Sequence, residues 1–335
     1  MRLSLSIEYI SKRTVWENSL ARSKRTANLK RKAVGPALAG LAVIAASCGT
    51  AHSSSPSSRG SGLINAVGAE SVYANVISQI GGSYVHVDSV ENNPNTDPHS
   101  FEASSTVAHE ISRADLIVLN GAGYDGWASK MISASPNPVR KVVNVQTLLK
   151  LPSDTKDPHL WYDPNTMPAV ATAVATDLSA LQPANAAYFN ANLSVFRASL
   201  QPWYAQLAKF KANYPNTAVA VSEPVADYLL LAAGCDIKTP FSLQAAVMGG
   251  FDPSPQDVTL QDYLFSKHQV KVFVENQQVT DTLTQSFQNL AKKNGIPIVG
   301  AYETMPTKYS YQTWMMAETA ALEKAVADNL STTKL

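Results

Sequence analysis

Between Asn165 and Tyr214 the chain offers no segment that reads as a strand, while on either side short apolar runs alternate with helical ones. This interruption constrains the fold more than any other feature. Before it, LINAVGA (63–69), YVHVDSV (84–90), ADLIVLNG (114–121) and KVVNVQ (141–146) read as strands, and SSTVAHEISRA (104–114) as a helix capped by Ser104 or Ser105. After it, TAVAVS (217–222), the region near Cys235, VKVFVEN (270–276) and IPIVGAY (296–302) read as strands, and SYQTWMMAETAALEKAVADNL as a closing helix. Strand–helix alternation implies parallel sheets with helices on both faces. The expected fold is therefore α/β, with two lobes (63–182 and 216–335) joined by one long backbone helix over 183–215. Within that connector Tyr188, Leu193, Phe196, Leu200, Trp203, Leu207 and Phe210 recur at helical steps, and Pro202 predicts a kink or a break. A helix of about 30 residues spans about 45 Å.

The N-terminus reads as an export signal. Arg22, Lys24, Arg25, Lys30, Arg31 and Lys32 precede AVGPALAGLAVIAAS, a small-residue apolar run ending at Cys48. The run is short for a membrane span, which needs about 20 residues. Small residues ahead of a cysteine resemble a bacterial lipobox, so residues 1–47 are expected to be removed and Cys48 to carry a lipid; cleavage as an ordinary secretory signal is the alternative. Residues 48–62, rich in Ser, Gly and Pro, would form a flexible tether. Nine of the 27 basic residues and two of the 26 acidic ones precede Cys48, leaving 18 and 24, a net charge of −6. That charge argues against nucleic acid as a partner. With Cys48 acylated, Cys235 has no cysteine left to pair with, and thiolate metal sites are excluded.

The chemistry collects around two short motifs. Asp97-Pro98-His99 and Asp157-Pro158-His159 repeat the same three letters 60 residues apart, in a chain with six histidines. Proline fixes φ, so each imidazole is held on a rigid turn. In open parallel sheets ligands bind beyond the carboxyl ends of strands. At such ends in the second lobe stand Glu223, directly after TAVAVS, and Glu303, directly after IPIVGAY. Facing lobes would bring two imidazoles and two carboxylates together, a set that suits Mn²⁺, Fe²⁺ or Zn²⁺. Each member has a plainer reading: the histidines as turn residues, and the glutamates as N-terminal charges of following helices. His52, His86, His109 and His268 have no partner at ligand spacing.

At this point the chain resembles the metal-binding lipoproteins of bacterial zinc/manganese/iron ABC importers. NTDPHSFEASSTVAHEISRADLIVLNGAGYDGW (95–127), DPHLWYDP (157–164), SEPVADYLLLAAG (222–234), DPSPQDV (252–258), VKVFVENQQ (270–278) and YSYQTWM (309–315) carry the likeness. The resemblance implies a metal held between two lobes by His99, His159, Glu223 and Glu303, and its delivery to a membrane permease. It implies a lipid-anchored, extracytoplasmic, monomeric receptor and not an enzyme. Two departures stand out. Zinc-specific members often have His at the position of Glu223 and a His-rich acidic loop, and many members have Asp at the position of Glu303. A secreted metallohydrolase using the same residues is the alternative. It would need an open metal position and a general base, and the sequence holds neither an HExxH helix nor a nucleophile elbow.

Overall fold

The computed structural model describes residues 62–335. The signal segment, Cys48 and all but the last residue of the tether lie outside the described residues. The first lobe holds β1 (Ile64–Glu70), α1 (Ser71–Gly81), β2 (Val85–Glu91), α2 (Ser105–Arg113), β3 (Leu116–Leu119), α3 (Gly126–Ala134), β4 (Lys141–Asn144), α4 (Val145–Leu148) and α5 (Thr166–Leu181). The connector is α6 (Ala186–Ser199) followed by α7 (Gln201–Asn213). The second lobe holds β5 (Ala218–Val221), α8 (Asp227–Ala232), β6 (Asp236–Ile237), α9 (Phe241–Met248), α10 (Pro255–Ser266), β7 (Val272–Asn276), α11 (Thr282–Lys293), β8 (Ile298–Ala301) and α12 (Tyr311–Asp328).

The two sheets share one plan: β2-β1-β3-β4 in the first lobe and β6-β5-β7-β8 in the second, every pairing parallel. Strands inside a parallel sheet are covered on both faces and read as unbroken apolar runs; LIVL of β3 is buried throughout, as is VFVEN of β7. Gly68 shows how tightly the helices sit, because a Cβ there would collide with the backbone nitrogen of Ala74 in α1. Past α12 the chain returns to the second sheet. Thr332 pairs in parallel with Val299, its N–H donating to Ile298 O and its carbonyl accepting from Gly300 N.

The connector differs from a single helix in the way Pro202 dictates. Proline has no N–H to bond to the carbonyl four residues back and its ring crowds that carbonyl. Hence α6 ends at Ser199 and α7 starts at Gln201 with Pro202 in its first turn, while Leu200 between them keeps helical dihedrals (φ −82°, ψ −17°). One apolar core runs from α1 and α5 through Phe189, Phe196, Trp203 and Phe210 of the connector to Trp314 and Leu322 of α12. One smaller cluster lies in each lobe. Polar groups tie the lobes and the connector together as well. Tyr162 Oη donates to Tyr302 O at 2.8 Å, Tyr311 Oη to Trp161 O at 3.0 Å, and Trp203 Nε1 to Thr319 Oγ1 at 3.0 Å. Among the described residues no helix is long and apolar enough to cross a membrane.

Candidate metal centre

Two loops of the first lobe and three strand ends of the second supply the polar residues of one site. His99 lies in a 3₁₀ turn, Pro98–Ser100, on the loop after β2, and His159 ends the loop that follows β4 and α4. Glu223 stands two residues past β5, Asn276 ends β7, and Glu303 stands two residues past β8. Glu303 Oε2 is the focus: His99 Nε2 and His159 Nε2 each approach it at 3.3 Å, and Tyr124 Oη donates to it at 2.9 Å. The other oxygen, Oε1, accepts from Asn276 Nδ2 at 2.7 Å. Donor atoms of His99, His159 and Glu303 lie within 4.8 Å of one another, the closeness that a cation with bonds of about 2.0–2.2 Å requires.

Glu223 sits one amide away. Asn276 Nδ2 also donates to Glu223 Oε1, at 3.3 Å, so a single carboxamide bridges the two glutamates. Glu223 is buried and its Oε2 has no hydrogen-bond partner. The helix-capping readings of the glutamates do not fit the observed helices. The helix after β5 starts at Asp227 with Ala226 at its cap, and α12 is capped by Ser310, whose Oγ accepts from Thr313 N. The other histidines among the described residues lie elsewhere. His86 and His109 are exposed on β2 and α2, and His268 is exposed in a left-handed turn with φ +48°.

The twin motifs share a backbone device and then part. Asp97 Oδ1 accepts from His99 N at 2.8 Å, and Asp157 Oδ1 accepts from His159 N at 3.0 Å. Each aspartate thus locks its own turn. Asp157 Oδ1 lies in addition 2.8 Å from His159 Nδ1, which orients the ring with Nε2 toward Glu303. A histidine that gives one ring N–H to a carboxylate presents its other nitrogen as a stronger ligand. The electrostatics follow from these contacts. Burial alone would lower His159, but its bonds to Asp157 and Glu303 push it up to about 10. Burial likewise opposes the rise of His99, which Glu303 produces. Burial would raise Glu303, yet the two imidazoles hold it well below the usual carboxylate range. Glu223 is pushed up to about 8 by burial and by the charge of Glu303, against the two imidazoles and Asn276.

The sequence reading missed Tyr124, Asn276 and Gln278. Gln278 Oε1 accepts from the N–H groups of both Glu303 (2.7 Å) and Thr304 (2.8 Å), fixing the loop after β8. Its amide donates across the lobes to Thr96 O at 2.6 Å. Asn276 was findable by the same strand-end argument that singled out Glu223 and Glu303. Tyr124 follows a Gly-rich turn whose Gly121, at φ +76°, adopts the left-handed backbone that favours glycine.

Residues 67–325 match the family described as zinc-uptake complex component A, periplasmic (ZnuA). The chain belongs to this family. Among ZnuA-family relatives, the manganese-binding lipoprotein MntA of Halalkalibacterium halodurans is 26% identical over 272 residues, covering 79% of this chain and 86% of the relative. The manganese ABC transporter substrate-binding lipoprotein PsaA of Streptococcus pneumoniae is 23% identical over 271 residues, 76% and 83% of the two chains. The fold matches the periplasmic zinc-binding protein TroA of Treponema pallidum with a TM-score of 0.67 at 19% identity, over 80% of this chain and 100% of TroA. It matches FpvC of Pseudomonas aeruginosa, solved with Mn²⁺, with a TM-score of 0.64 at 21% identity, over 80% and 99%. ZnuA-type proteins serve transport by binding a substrate, and the hydrolase alternative draws nothing from them.

Proposed function

We propose that the protein is a lipid-anchored, extracytoplasmic receptor that takes a divalent transition-metal cation between its lobes and passes it to an ABC permease. One observation carries this reading: Nε2 atoms of two histidines from the first lobe meet one carboxylate oxygen from the second. Three donors so arranged fit a cation held by His99, His159 and Glu303; Glu223, one carboxamide away and with a buried unpartnered oxygen, is the fourth ligand of this reading. Two carboxylates offset the charge of a divalent ion. Lobe bounds at 63–182 and 216–335, an acylated Cys48 and a monomeric state complete the reading, supported by the sequence patterns and by relatives named as lipoproteins of metal transporters.

Glu223 in place of a third imidazole shifts the set toward Mn²⁺ or Fe²⁺, while intrinsic affinity favours Zn²⁺. Four protein ligands would fill a tetrahedral Zn²⁺ shell and leave no position on that ion for a hydrolytic water. The test is metal content. The mature protein is stripped with a chelator, refilled with Mn²⁺, Fe²⁺ or Zn²⁺, and assayed by elemental analysis and competitive titration. One equivalent should bind, and the double variant His99→Ala/His159→Ala should bind none. A wild-type protein that takes up none of the three refutes the function.

A further inference from the structure

Asn276, the last residue of β7, holds one oxygen of each glutamate at the metal centre. Its Nδ2 donates to Glu303 Oε1 at 2.7 Å and to Glu223 Oε1 at 3.3 Å. The direction of the carboxamide is not free. Its Oδ1 accepts the backbone N–H of Gln278 at 2.9 Å, a bond that only the oxygen can make, so the amino group must face the carboxylates. The backbone beneath is fixed as well. Asn276 N donates to Ser222 Oγ at 2.9 Å, and Ser222 N donates to Val274 O at 3.0 Å. Both side chains are buried.

This arrangement sorts the carboxylate oxygens into two kinds. Glu303 Oε2 faces the imidazoles of His99 and His159, each at 3.3 Å, while its Oε1 is turned to the amide. Glu223 Oε2 is buried with no hydrogen-bond partner, while its Oε1 is turned to the same amide. Chelation by either glutamate would place a cation between its two oxygens and draw Oε1 off the amide. Hydrogen bonds to an ionised acceptor are stronger than neutral ones, so that movement has a cost. Each glutamate therefore presents one oxygen, and with the two imidazole nitrogens the centre offers four donors. That number completes the tetrahedral shell of Zn²⁺. It falls short of the octahedral, oxygen-rich shell of Mn²⁺, which the same residues approach only with both carboxylates bidentate.

We propose that Asn276 is the positioning residue that sets metal choice: by tying down one oxygen of each glutamate it keeps both carboxylates monodentate and tilts the centre toward Zn²⁺ over Mn²⁺. The inference rests on the function proposed above, with Glu223 as a ligand, and names its preferred cargo. The amide counters the pull toward Mn²⁺ that Glu223 exerts by residue type. An asparagine that only braced the strand ends would weaken every cation alike when removed.

The test is the ratio of Zn²⁺ to Mn²⁺ affinity, measured by chelator competition on the mature protein and its Asn276→Ala variant. Zn²⁺ binds more tightly than Mn²⁺ at most sites, so the change in the ratio is the readout and not its wild-type value. Removing a group that orients metal ligands costs about 10- to 100-fold in affinity. Zn²⁺ should suffer that loss in full, whereas Mn²⁺ should recover part of it from the freed oxygens, so the ratio should fall by at least about tenfold. Equal weakening of both ions, or an unchanged affinity for both, overturns the proposal. Wild-type protein loaded with Co²⁺ gives a second reading that needs no variant. It should show the intense visible bands of a four-coordinate ion; the weak bands of a six-coordinate one overturn the proposal even if Asn276→Ala folds poorly. A wild type that takes up none of these ions refutes the function itself, an outcome distinct from the others.

Discussion

Replacing Asp157 with asparagine separates two roles that look alike in the sequence. Both Asp-Pro-His aspartates accept the backbone N–H of their histidine, at 3.0 Å for Asp157 and 2.8 Å for Asp97. An asparagine oxygen can do the same, so each turn should survive the change. Asp157 also holds His159 Nδ1 at 2.8 Å, and there the charge matters. Losing the carboxylate behind a ligating imidazole costs 10- to 100-fold in metal affinity, or about 1.4–2.7 kcal/mol. Asp97→Asn loses no such contact and should stay within about threefold. The assay is competitive titration of the two variants with Mn²⁺ and Zn²⁺ against a chromogenic chelator, with circular dichroism confirming the fold. Equal losses in both variants, or a loss only in Asp97→Asn, would refute the assignment of Asp157 as the group that orients and charges His159.

Four further outcomes are expected. Glu223→Ala should weaken binding by at least tenfold in the same titration, whereas His268→Ala, exposed in its turn, should leave affinity unchanged. The stability of the chelator-treated protein should fall as pH rises from 6.5 to 8. His159 at about 10 stands above its ordinary 6.5 and Glu223 at about 8 above its ordinary 4.5, so the folded chain holds protons the unfolded chain releases. Each group then removes at most about 1 kcal/mol per pH unit in that window. Glu303, held low, adds stability that is lost only on acidification below the usual carboxylate range and is constant here. A melting temperature that climbs over this window would contradict the sign. Cation uptake must displace the same protons, so binding should acidify a weakly buffered solution, a release readable by calorimetry in buffers of different ionisation enthalpy. Gly68→Ala should cost about 1–3 kcal/mol, because a Cβ meets the Ala74 backbone and not a movable side chain; a melting point unchanged within 1 °C would show that α1 yields more easily than its packing suggests.

The architecture was legible because its signals are local. Apolar runs such as LIVL and VFVEN announce buried parallel strands, Pro202 announces the break in the connector, and Ser104 accepts the N–H of Val107 as a helix cap should. The two-residue β6 beside Cys235 carries too little pattern to bound from sequence. The site divides the same way. Histidine and glutamate advertise their chemistry by residue type, so His99, His159, Glu223 and Glu303 stand out as candidates in the sequence, and the donor atoms of three of them, His99, His159 and Glu303, come within 4.8 Å of one another. Tyr124, Asn276 and Gln278 are common polar residues, and their importance arises only where distant strand ends meet. The difference between Asp97 and Asp157 was likewise invisible, since it depends on which way each imidazole turns after an identical tripeptide.

The apolar cluster that runs without a gap from α1 through the connector to α12 makes the two lobes thermodynamically one object. Each half, cut at Pro202, would present fully buried tryptophans and tyrosines to water: Trp161 and Tyr162 on one side, Trp203, Tyr311 and Trp314 on the other. Such halves have no reason to stay folded or dissolved alone. Heat should therefore melt the chain in a single calorimetric peak, and the pair of look-alike sheets, for all their shared strand order, should not fold as separable modules.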